Sequence, residues 1–191
     1  GETWLMNDLA VTKQPGGWSM QIPGAGSCSG APVIMCHNSP GRFHGSLYIL
    51  WADLRHGSDN ADIWLIRSIN SGDYWTQPVR ITASAEKHQF LPAMAIDQAT
   101  GYLYIVYHDR SKYDDQRTDL QMAYSTDGGA TFRHMTIDEG FTMPPGTALT
   151  NRNIQIDAFR GMITPVWTRM EGDDYVFNTM TIKDTELLNK K

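Results

Sequence analysis

The chain has 191 residues, 41% of them hydrophobic, which is enough for one substantial core or two small ones. Its 16 basic and 21 acidic residues give a formal net charge of −5, which argues against a nucleic-acid groove. No run of apolar residues approaches the length of a membrane span.

The first predicted elements are two strands, residues 4–11 and 18–22, joined by a Pro-Gly-Gly turn at residues 15–17. They are typical of the last two strands of a repeat unit whose first half is missing. Residues 24–30 are rich in Gly and Ser, and we predict a connector there. The chain opens on Gly rather than Met, as a processed or trimmed form would.

The two cysteines are Cys28 and Cys36. If residues 31–36 form a strand, the intervening chain holds the two sulfur atoms too far apart to bridge. We therefore expect two free or buried thiols, and cysteine usage does not indicate the compartment.

Two complete sets of four strands come next. The predicted strands are residues 31–36, 47–52, 62–68 and 79–82, then residues 91–97, 103–108, 119–125 and 133–137. The second strands match closely: Gly45-Ser-Leu-Tyr-Ile-Leu-Trp-Ala-Asp53 stands against Gly101-Tyr-Leu-Tyr-Ile-Val-Tyr-His-Asp109. Short β-rich runs at even spacing, with Gly or Asp at the turns, predict an all-β fold.

A partial set of strands ends the chain, at residues 153–157, 161–169 and 174–180. Pro165 lies inside the second of these strands, which predicts an edge position or a bulge there. Residues 185–191 are polar, and we predict a frayed tail.

A turn motif recurs between the third and fourth strands of each complete set. Ser125-Thr-Asp-Gly-Gly-Ala-Thr-Phe132 has the form Ser-x-Asp-x-Gly-x-Thr-aromatic, and Ser68-Ile-Asn-Ser-Gly-Asp-Tyr-Trp75 is a degenerate copy that starts 57 residues earlier. One further step of the same length reaches Trp18. A fixed period that carries a turn and an aromatic residue indicates a repeat architecture.

The chemistry of the motif predicts a self-fastened β-hairpin. Gly128 or Gly129 can take the positive φ of a tight turn, and Asp127 can accept hydrogen bonds from backbone N–H groups. Phe132 then packs back against the sheet. The upstream copy offers the same roles with Asn in place of Asp, which predicts a weaker fastener. The predicted structural residues are Ser68, Asn70, Gly72, Trp75, Ser125, Asp127, Gly129 and Phe132.

These motifs resemble the Asp-box, or BNR-repeat, of sialidase-like β-propellers. The resemblance implies an all-β propeller of sialidase type occupying residues 1–191 as a single domain, with blades at about 1–23, 31–82, 91–137 and 153–182. It also implies a secreted, periplasmic or cell-surface protein. The motif is specific for the repeat and weak for the activity, because non-enzymatic propellers carry it as well.

The chain supplies about three blades' worth of strands, whereas closed propellers need about four to eight. An open half-ring would expose strand edges, which proteins avoid. We therefore expect the ring to be completed by a second copy, giving about six blades, or by a missing segment, which we slightly favour.

The loops between second and third strands lie on the rim opposite the turn motifs, because successive antiparallel strands place their loops on alternate sides. Asp and Arg residues recur there at matched positions, and an Arg cluster could hold a carboxylate or sulfate. The alternative is that these residues pair with one another between blades and only fix the loops. The predicted substrate-binding residues are Arg55, Arg110, Arg152, Arg169 and His88.

The resemblance to sialidases implies three Arg for a substrate carboxylate, a Tyr nucleophile with a Glu partner, and an acid Asp. The matching residues here are Asp53, Asp109 and Tyr113, which we predict as catalytic. No Glu clearly partners Tyr113, and the Arg-Ile-Pro signature of the family is absent.

We predict no cofactor and no metal. Ca²⁺ is a weaker hypothesis, because Asp59, Asn60 and Asp62, or Asp114, Asp115 and Asp119, offer oxygen atoms without matching a known loop pattern. Solvated acidic loops explain them better. Trp51, Tyr107 and Trp167 fall at corresponding strand positions and are expected in core layers rather than as sugar platforms.

Two functions therefore stand after the sequence is read. One is a sialidase-like, carbohydrate-active propeller, with exo-glycoside hydrolysis of an acidic sugar as its reaction. The other is a non-catalytic Asp-box propeller that binds glycans or proteins.

Overall fold

The structure is a computed structural model that describes residues 8–84, 86–144 and 154–189. Within these ranges the chain is all-β apart from one short helix. The elements are β1 Ser19–Ile22, β2 Gly26–Ser29, β3 Val33–Cys36, β4 Leu47–Asp53, β5 Asp62–Ser68, β6 Val79–Arg80, β7 Gln89–Ile96, β8 Leu103–Asp109, β9 Arg117–Ser125, β10 Arg133–Thr142, β11 Ile154–Phe159, β12 Met162–Glu171, β13 Asp174–Thr179, β14 Ile182–Lys183 and α1 Asp184–Leu188.

The strands form four antiparallel sheets. Sheet I has the order β3-β4-β5-β6, and sheet II has the order β10-β9-β8-β7. Sheet III has the order β11-β12-β13, with β14 also paired to β12. The fourth sheet is a separate two-stranded hairpin of β1 and β2, here called the β1–β2 hairpin. Consecutive strands are neighbours, as short turns require.

Sheet II lies between the other two large sheets. Its first strand, β7, contacts β3 and β4 of sheet I and β11 of sheet III. Every residue of β7 and β8 is buried, which explains why both strands read as near-continuous apolar runs. One core cluster extends across all three sheets and includes Tyr48, Tyr104 and Trp167.

The aromatic residues predicted as core layers are buried. Trp51 is 2% exposed, and it packs in a second, smaller cluster with Trp64 and Ile66 on the outer face of sheet I. Tyr107 and Trp167 are also buried. None of the three is available as a platform for a sugar ring.

The start of the chain differs from the prediction. Residues 8–11, the described part of the first predicted strand, form no strand, and residues 1–7 lie outside the described residues. The predicted connector at 24–30 instead contains β2, which pairs with β1. The sequence did not indicate this strand, because it consists of Gly and Ser residues around a single fully buried side chain, that of Cys28. Both Cys28 and Cys36 are free thiols, Cys28 buried and Cys36 exposed.

The structure corrects two predictions near the end of the chain. Pro165 lies in the central strand β12 rather than at an edge, and the ladder on its β13–β14 side is interrupted there, because Val166 pairs with Thr179 and Ile163 with Ile182 while Pro165 has no strand partner on that side. The predicted frayed tail contains α1, anchored by the buried Leu187, whose carbonyl accepts a hydrogen bond from the Tyr124 hydroxyl at 3.2 Å. None of the described helices is long and apolar enough to cross a membrane.

Sheet III buries one face and leaves the other open. Ile163 and Trp167 belong to the core, whereas the alternate residues of β12 face outward. The strand register places Val166 and Thr168 on the same side of the sheet as Phe177, which is 80% exposed, although Thr168 itself is buried. We call this surface the open face of sheet III. Its exposed apolar side chains are Phe159, Met162, Val166, Tyr175 and Phe177.

Candidate functional site

A cleft of about 680 Å³ lies between three segments of the chain. The turn of the β1–β2 hairpin contributes Pro23, the segment before β7 contributes Lys87 and His88, and the loop between β8 and β9 contributes the rest. The lining residues are Pro23, Lys87, His88, Arg110, Tyr113, Asp114, Asp115 and Gln116. Of the residues predicted for the site, the cleft brings together His88, Arg110 and Tyr113.

Arg110 is the central cation of the cleft and is only 4% exposed. Its Nε donates a hydrogen bond to Thr118 Oγ1 at 3.0 Å, and its Nη1 donates to the carbonyl of Pro23. Its guanidinium carbon lies 5.4 Å from the centre of the Phe90 ring. Nη2 is buried and makes no hydrogen bond to any described residue.

The charge of Arg110 is not compensated by a carboxylate in an ion pair with any described residue. Burial lowers the pKa of its guanidinium, although arginine stays protonated at neutral pH. A buried charged donor that lacks an acceptor is costly, so such a group calls for an explanation. A bound anion would supply the missing acceptor.

His88 is a neutral neighbour of this cation. Burial, followed by the positive charge of Arg110, lowers the pKa of its imidazole. Its Nδ1 accepts a hydrogen bond from the backbone N–H of Ala61 at 3.4 Å, which places the ring proton on Nε2. His88 therefore offers the cleft a neutral donor, and its carbonyl fixes the loop by accepting from the N–H of Arg110 at 3.1 Å.

Tyr113 has a carboxylate partner that the sequence did not reveal. Its hydroxyl donates to Asp119 Oδ1 at 2.6 Å, and Lys112 Nζ lies 2.7 Å from Asp119 Oδ2. The backbone N–H of Gly140 also donates to Asp119, at 2.9 Å. The hydrogen bond to Asp119 raises the pKa of the Tyr113 phenol, which opposes its ionisation. Only the position of Asp119 at the start of β9 hinted at this contact.

Arg55 lies apart from the cleft and is neutralised by its own loop. Its guanidinium contacts the Asp53 carboxylate, with Nη2 2.5 Å from Oδ2, and stacks 4.0 Å from the centre of the Trp64 ring. Asp53 also accepts from Trp51 Nε1 at 2.8 Å. Asp53 is therefore fully occupied as a structural acceptor, and it does not line the cleft.

Asp109 and Arg169 are also used in structural contacts. Asp109 accepts hydrogen bonds from Gln89 Nε2 at 3.2 Å and from the N–H of Ser111 at 2.8 Å, and it does not line the cleft. Arg169 pairs with Asp138 at 3.1 Å and with Glu171 at 2.6 Å. Arg152, the fourth predicted arginine, lies outside the described residues.

Arg55 and Arg169 do not line the cleft around Arg110, so the described residues form no arginine cluster there, and the substrate-binding roles stay predictions. The alternative of Asp–Arg pairing between blades holds in one case only. Arg169 of sheet III reaches Asp138 of sheet II, whereas Arg55 pairs with Asp53 inside one loop.

The turn after β9 lies on the opposite rim and carries a dense set of hydrogen bonds. Ser125 Oγ donates to Asp127 Oδ1 at 2.8 Å and accepts from the N–H of Gly129 at 2.8 Å. Asp127 Oδ1 accepts from the N–H groups of Ala130 and Thr131, each at 2.9 Å. Although burial opposes ionisation, bonds from Thr131, Ser125 and Ala130 lower the pKa of Asp127 to about 2.

The turn after β5 repeats part of this pattern with an amide. Ser68 Oγ donates to Asn70 Oδ1 at 2.9 Å and accepts from the N–H of Gly72 at 2.9 Å. Asn70 Oδ1 accepts one backbone N–H, that of Tyr74, at 3.0 Å. The aromatic residues of the two turns, Trp75 and Phe132, are half-buried against the core clusters.

Trp18 does not share that environment. It lies in a turn and is 72% exposed, so the third step of the 57-residue spacing is not matched by a third packed aromatic residue. The repeat in the sequence therefore corresponds to two turns with a packed aromatic residue, one in sheet I and one in sheet II.

Four of the acidic side chains considered for calcium, Asp62, Asp114, Asp115 and Asp119, are held by cations or hydroxyls. Asp114 pairs with Lys87 at 2.8 Å, and Asp115 pairs with Arg117 at 2.9 Å. Asp62 accepts from Thr82 Oγ1 at 3.0 Å. Among the described residues, no group of three or more His, Cys, Asp or Glu is placed to hold a metal ion. The absence of a cofactor and the weaker calcium hypothesis stay predictions.

No protein-family model and no curated protein matches this chain. Among solved structures, a Hadza microbial sialidase matches it with a TM-score of 0.57 and 18% identity, over 80% of this chain and 35% of the sialidase chain. An α-L-arabinanase of Penicillium chrysogenum complexed with arabinobiose matches with a TM-score of 0.45 and 9% identity, over 81% of this chain and 57% of that chain. An α-L-arabinofuranosidase of Fusarium graminearum with arabinobiose matches with a TM-score of 0.41 and 11% identity, over 81% of this chain and 58% of that chain.

These neighbours are β-propeller glycoside hydrolases. This chain spans about a third of the length of the sialidase that it matches. At this level of identity the likeness concerns the fold, and it is carried by the sialidase. The chain therefore shares the fold of part of a β-propeller.

Proposed function

We propose that this chain is part of a sialidase-like, carbohydrate-directed propeller of the Asp-box kind, and that it binds an acidic sugar through Arg110. The observation that carries the proposal is the buried guanidinium of Arg110, whose Nη2 has no acceptor among the described residues. It lines a cleft of about 680 Å³, within the size range of sites for small ligands. A sugar carboxylate is a suitable acceptor, because charge-assisted hydrogen bonds of arginine favour planar oxyanions.

The proposal extends to the family and the setting of the protein. The hydrogen bonds of the turns at Ser68 and Ser125 support the Asp-box assignment, since the side chains at motif positions fasten the turn itself. A secreted, periplasmic or cell-surface location goes with that assignment. No cofactor is part of the proposal.

Binding without hydrolysis is the form of this function that the geometry favours. Asp53 and Asp109 are occupied by structural hydrogen bonds and lie outside the cleft lining. The phenol of Tyr113 has a raised pKa because it donates to Asp119, which disfavours the phenolate needed for attack. The chain then acts as a glycan-binding module.

Exo-glycoside hydrolysis is the second candidate, and one contact favours it. Tyr113 lines the cleft, and its hydroxyl lies 2.6 Å from a carboxylate oxygen of Asp119 that could accept the phenolic proton. In this version Asp119 takes the place of the Glu partner, and Tyr113 is the nucleophile.

We also propose that further sheets complete the ring, supplied by a second copy or by a segment outside this chain. The open face of sheet III supports this, because apolar side chains such as Phe177 and Phe159 are exposed there together. The longer chain of the matching sialidase is consistent with the same view.

Binding is tested by calorimetric titration of the purified chain with N-acetylneuraminic acid and D-glucuronic acid. Their methyl esters, which lack the negative charge, are the matched ligand controls. We expect the free acids to bind and Arg110→Ala to weaken binding at least about ten-fold. Arg55→Ala and Arg169→Ala should leave the affinity within about two-fold, since both side chains already have carboxylate partners. Equal binding of acids and esters would contradict the proposal.

Turnover of a fluorogenic sialoside separates the two candidates. Release of the fluorophore by the wild-type chain, lost in Tyr113→Phe and in Asp119→Asn, would select hydrolysis. Retained binding of the free acid with no release would select the glycan-binding module.

A further inference from the structure

The two fixed contacts of the Arg110 guanidinium are with uncharged oxygen atoms. Nε donates to the hydroxyl of Thr118 at 3.0 Å, and Nη1 donates to the carbonyl of Pro23. The other two described arginines of the predicted site, Arg55 and Arg169, are held by carboxylates instead. Arg110 is therefore fixed in place without being neutralised.

We infer that Thr118 and the turn of the β1–β2 hairpin are positioning elements that keep Arg110 available for an anionic ligand. The inference rests on the proposed function, because it assigns a role within the same cleft. Two neutral acceptors restrict the guanidinium without forming an ion pair with it, and the carboxylates that line the cleft, Asp114 and Asp115, are paired with Lys87 and Arg117 instead. Thr118 acts through Arg110 and has no contact of its own with the ligand.

Thr118 is well placed for this role. Its side chain is fully buried on β9, and its hydroxyl donates its own proton to the carbonyl of Gln116 at 3.3 Å. Because that proton is already donated to Gln116, Oγ1 can act only as an acceptor towards the Nε–H of Arg110. The side chain thus works as an oriented acceptor.

The β1–β2 hairpin is anchored independently of the loop that it contacts. Met20, Ile22, Ala25 and Cys28 bury their side chains in the main core, which fixes the turn between the two strands. Gly24 in that turn has a φ of +72°, and its open α-carbon leaves room for the side chain of Gln116. The carbonyl of Pro23 is therefore presented to Arg110 by a rigid element outside sheets I to III.

The test compares Thr118→Val, which removes the hydroxyl at nearly constant volume, with Thr118→Ser, which keeps it. Calorimetry with N-acetylneuraminic acid should show about ten-fold weaker binding for the Val variant and near wild-type binding for the Ser variant. Thr82→Val is the matched control, because it removes another buried threonine hydroxyl, bonded to Asp62 and away from the cleft lining. Its affinity should equal that of the wild type even where its melting temperature falls.

Arg110→Lys gives a second measurement that does not depend on how Thr118→Val folds. Lysine keeps the charge but cannot reach both neutral acceptors with a planar group, so binding should fall by about ten-fold or more. Wild-type affinity in Thr118→Val or in Arg110→Lys would overturn the inference while leaving the proposed function standing. Failure of the wild-type chain itself to bind the acid would instead overturn the proposed function.

Discussion

At the scale of single residues, Asp127 and Asn70 form a natural pair for exchange, because they occupy the same position in two turns. Asp127 accepts two backbone N–H groups and the hydroxyls of Ser125 and Thr131, whereas Asn70 accepts one N–H and one hydroxyl. We expect Asp127→Asn to lower the free energy of unfolding by about 1 kcal/mol at neutral pH. Asn70→Asp should raise it by a smaller amount.

The pH dependence of this pair has a defined sign. The pKa of Asp127 falls from 3.8 in the unfolded chain to about 2 in the folded one. Its stabilising contribution is therefore present above about pH 4 and is lost as the pH falls towards 2. Chemical denaturation of the wild type and Asp127→Asn should give curves that differ at pH 7 and converge at pH 2. A difference that does not depend on pH would contradict this account.

His108 is a buried imidazole, and replacing it should make the protein more stable at acidic pH. It is fully buried and stacks on Phe90 with 5.5 Å between ring centres, and its ring nitrogens make no side-chain hydrogen bond, their polar contact being with the Phe90 backbone. Burial, followed by Arg110, lowers its pKa from 6.5 to about 3. The unfolded chain therefore takes up the proton first, and stability is lost as the pH falls from about 6.5 towards 3.

We expect His108→Phe to remove this acid sensitivity. Between pH 7 and pH 5 the wild type should lose about 2 kcal/mol more than the variant, from the 1.36 kcal/mol that each pKa unit represents. At pH 7 the free energy of unfolding of the variant should be close to that of the wild type, because an apolar ring of similar shape replaces an imidazole that makes no side-chain hydrogen bond. Urea denaturation at the two pH values measures both effects, and parallel losses in the two proteins would refute the prediction.

At the scale of elements, the strands of sheets I and II could be predicted because their sequence carries local signals. Alternation, β-branched residues and a turn motif at a fixed spacing locate β4, β5, β8 and β9 closely. The β1–β2 hairpin could not be predicted in the same way. Its second strand contains Gly26, Ser27, Cys28 and Ser29, and it becomes a strand only through pairing with β1 and burial of Cys28.

The candidate site shows the same limit for side chains. The loop between β8 and β9 and the residues His88, Arg110 and Tyr113 could be selected from the sequence, since loop positions follow from strand order. The sequence could not predict which arginine lacks a carboxylate partner, because that depends on contacts between residues that are far apart in the chain. Arg110 meets Pro23, 87 residues away, whereas Arg55 meets Asp53, two residues away.

The two turn tryptophans provide a test of the packed hairpin as an element. Trp75 is half-buried against Trp51, Trp64 and Ile66, whereas Trp18 is 72% exposed. We expect Trp75→Ala to lower the free energy of unfolding by about 2–3 kcal/mol, somewhat less than for a fully buried tryptophan. Trp18→Ala should change it by less than about 0.5 kcal/mol. Equal losses for both variants would show that the spacing alone does not identify the fastened turns.

At the scale of the whole molecule, the open face of sheet III is exposed at positions where the matching residues of sheets I and II are buried. Tyr48 and Leu50 in sheet I are buried, as are Tyr104 and Val106 at the matching positions of sheet II. The corresponding positions in sheet III are Thr164 and Val166, and Val166 is 38% exposed. The face that meets a following sheet in sheets I and II therefore has no such neighbour among the described residues. This is the physical basis for proposing that the ring continues.

Phe177→Asp tests whether that face is a contact surface. Phe177 is 80% exposed, so the variant should keep the free energy of unfolding within about 0.5 kcal/mol while the wild type shows stronger self-association or binding of a hydrophobic dye. Ile69→Asp adds the same charge at another exposed apolar residue, 72% exposed in the turn after β5 and away from sheet III, and should behave as the wild type. Light scattering distinguishes the two proposed ways of completing the ring: a wild-type dimer that Phe177→Asp converts to a monomer indicates a second copy. A wild-type monomer whose dye binding falls in Phe177→Asp indicates a segment outside this chain, and a monomer that binds no dye would show that the face needs no partner.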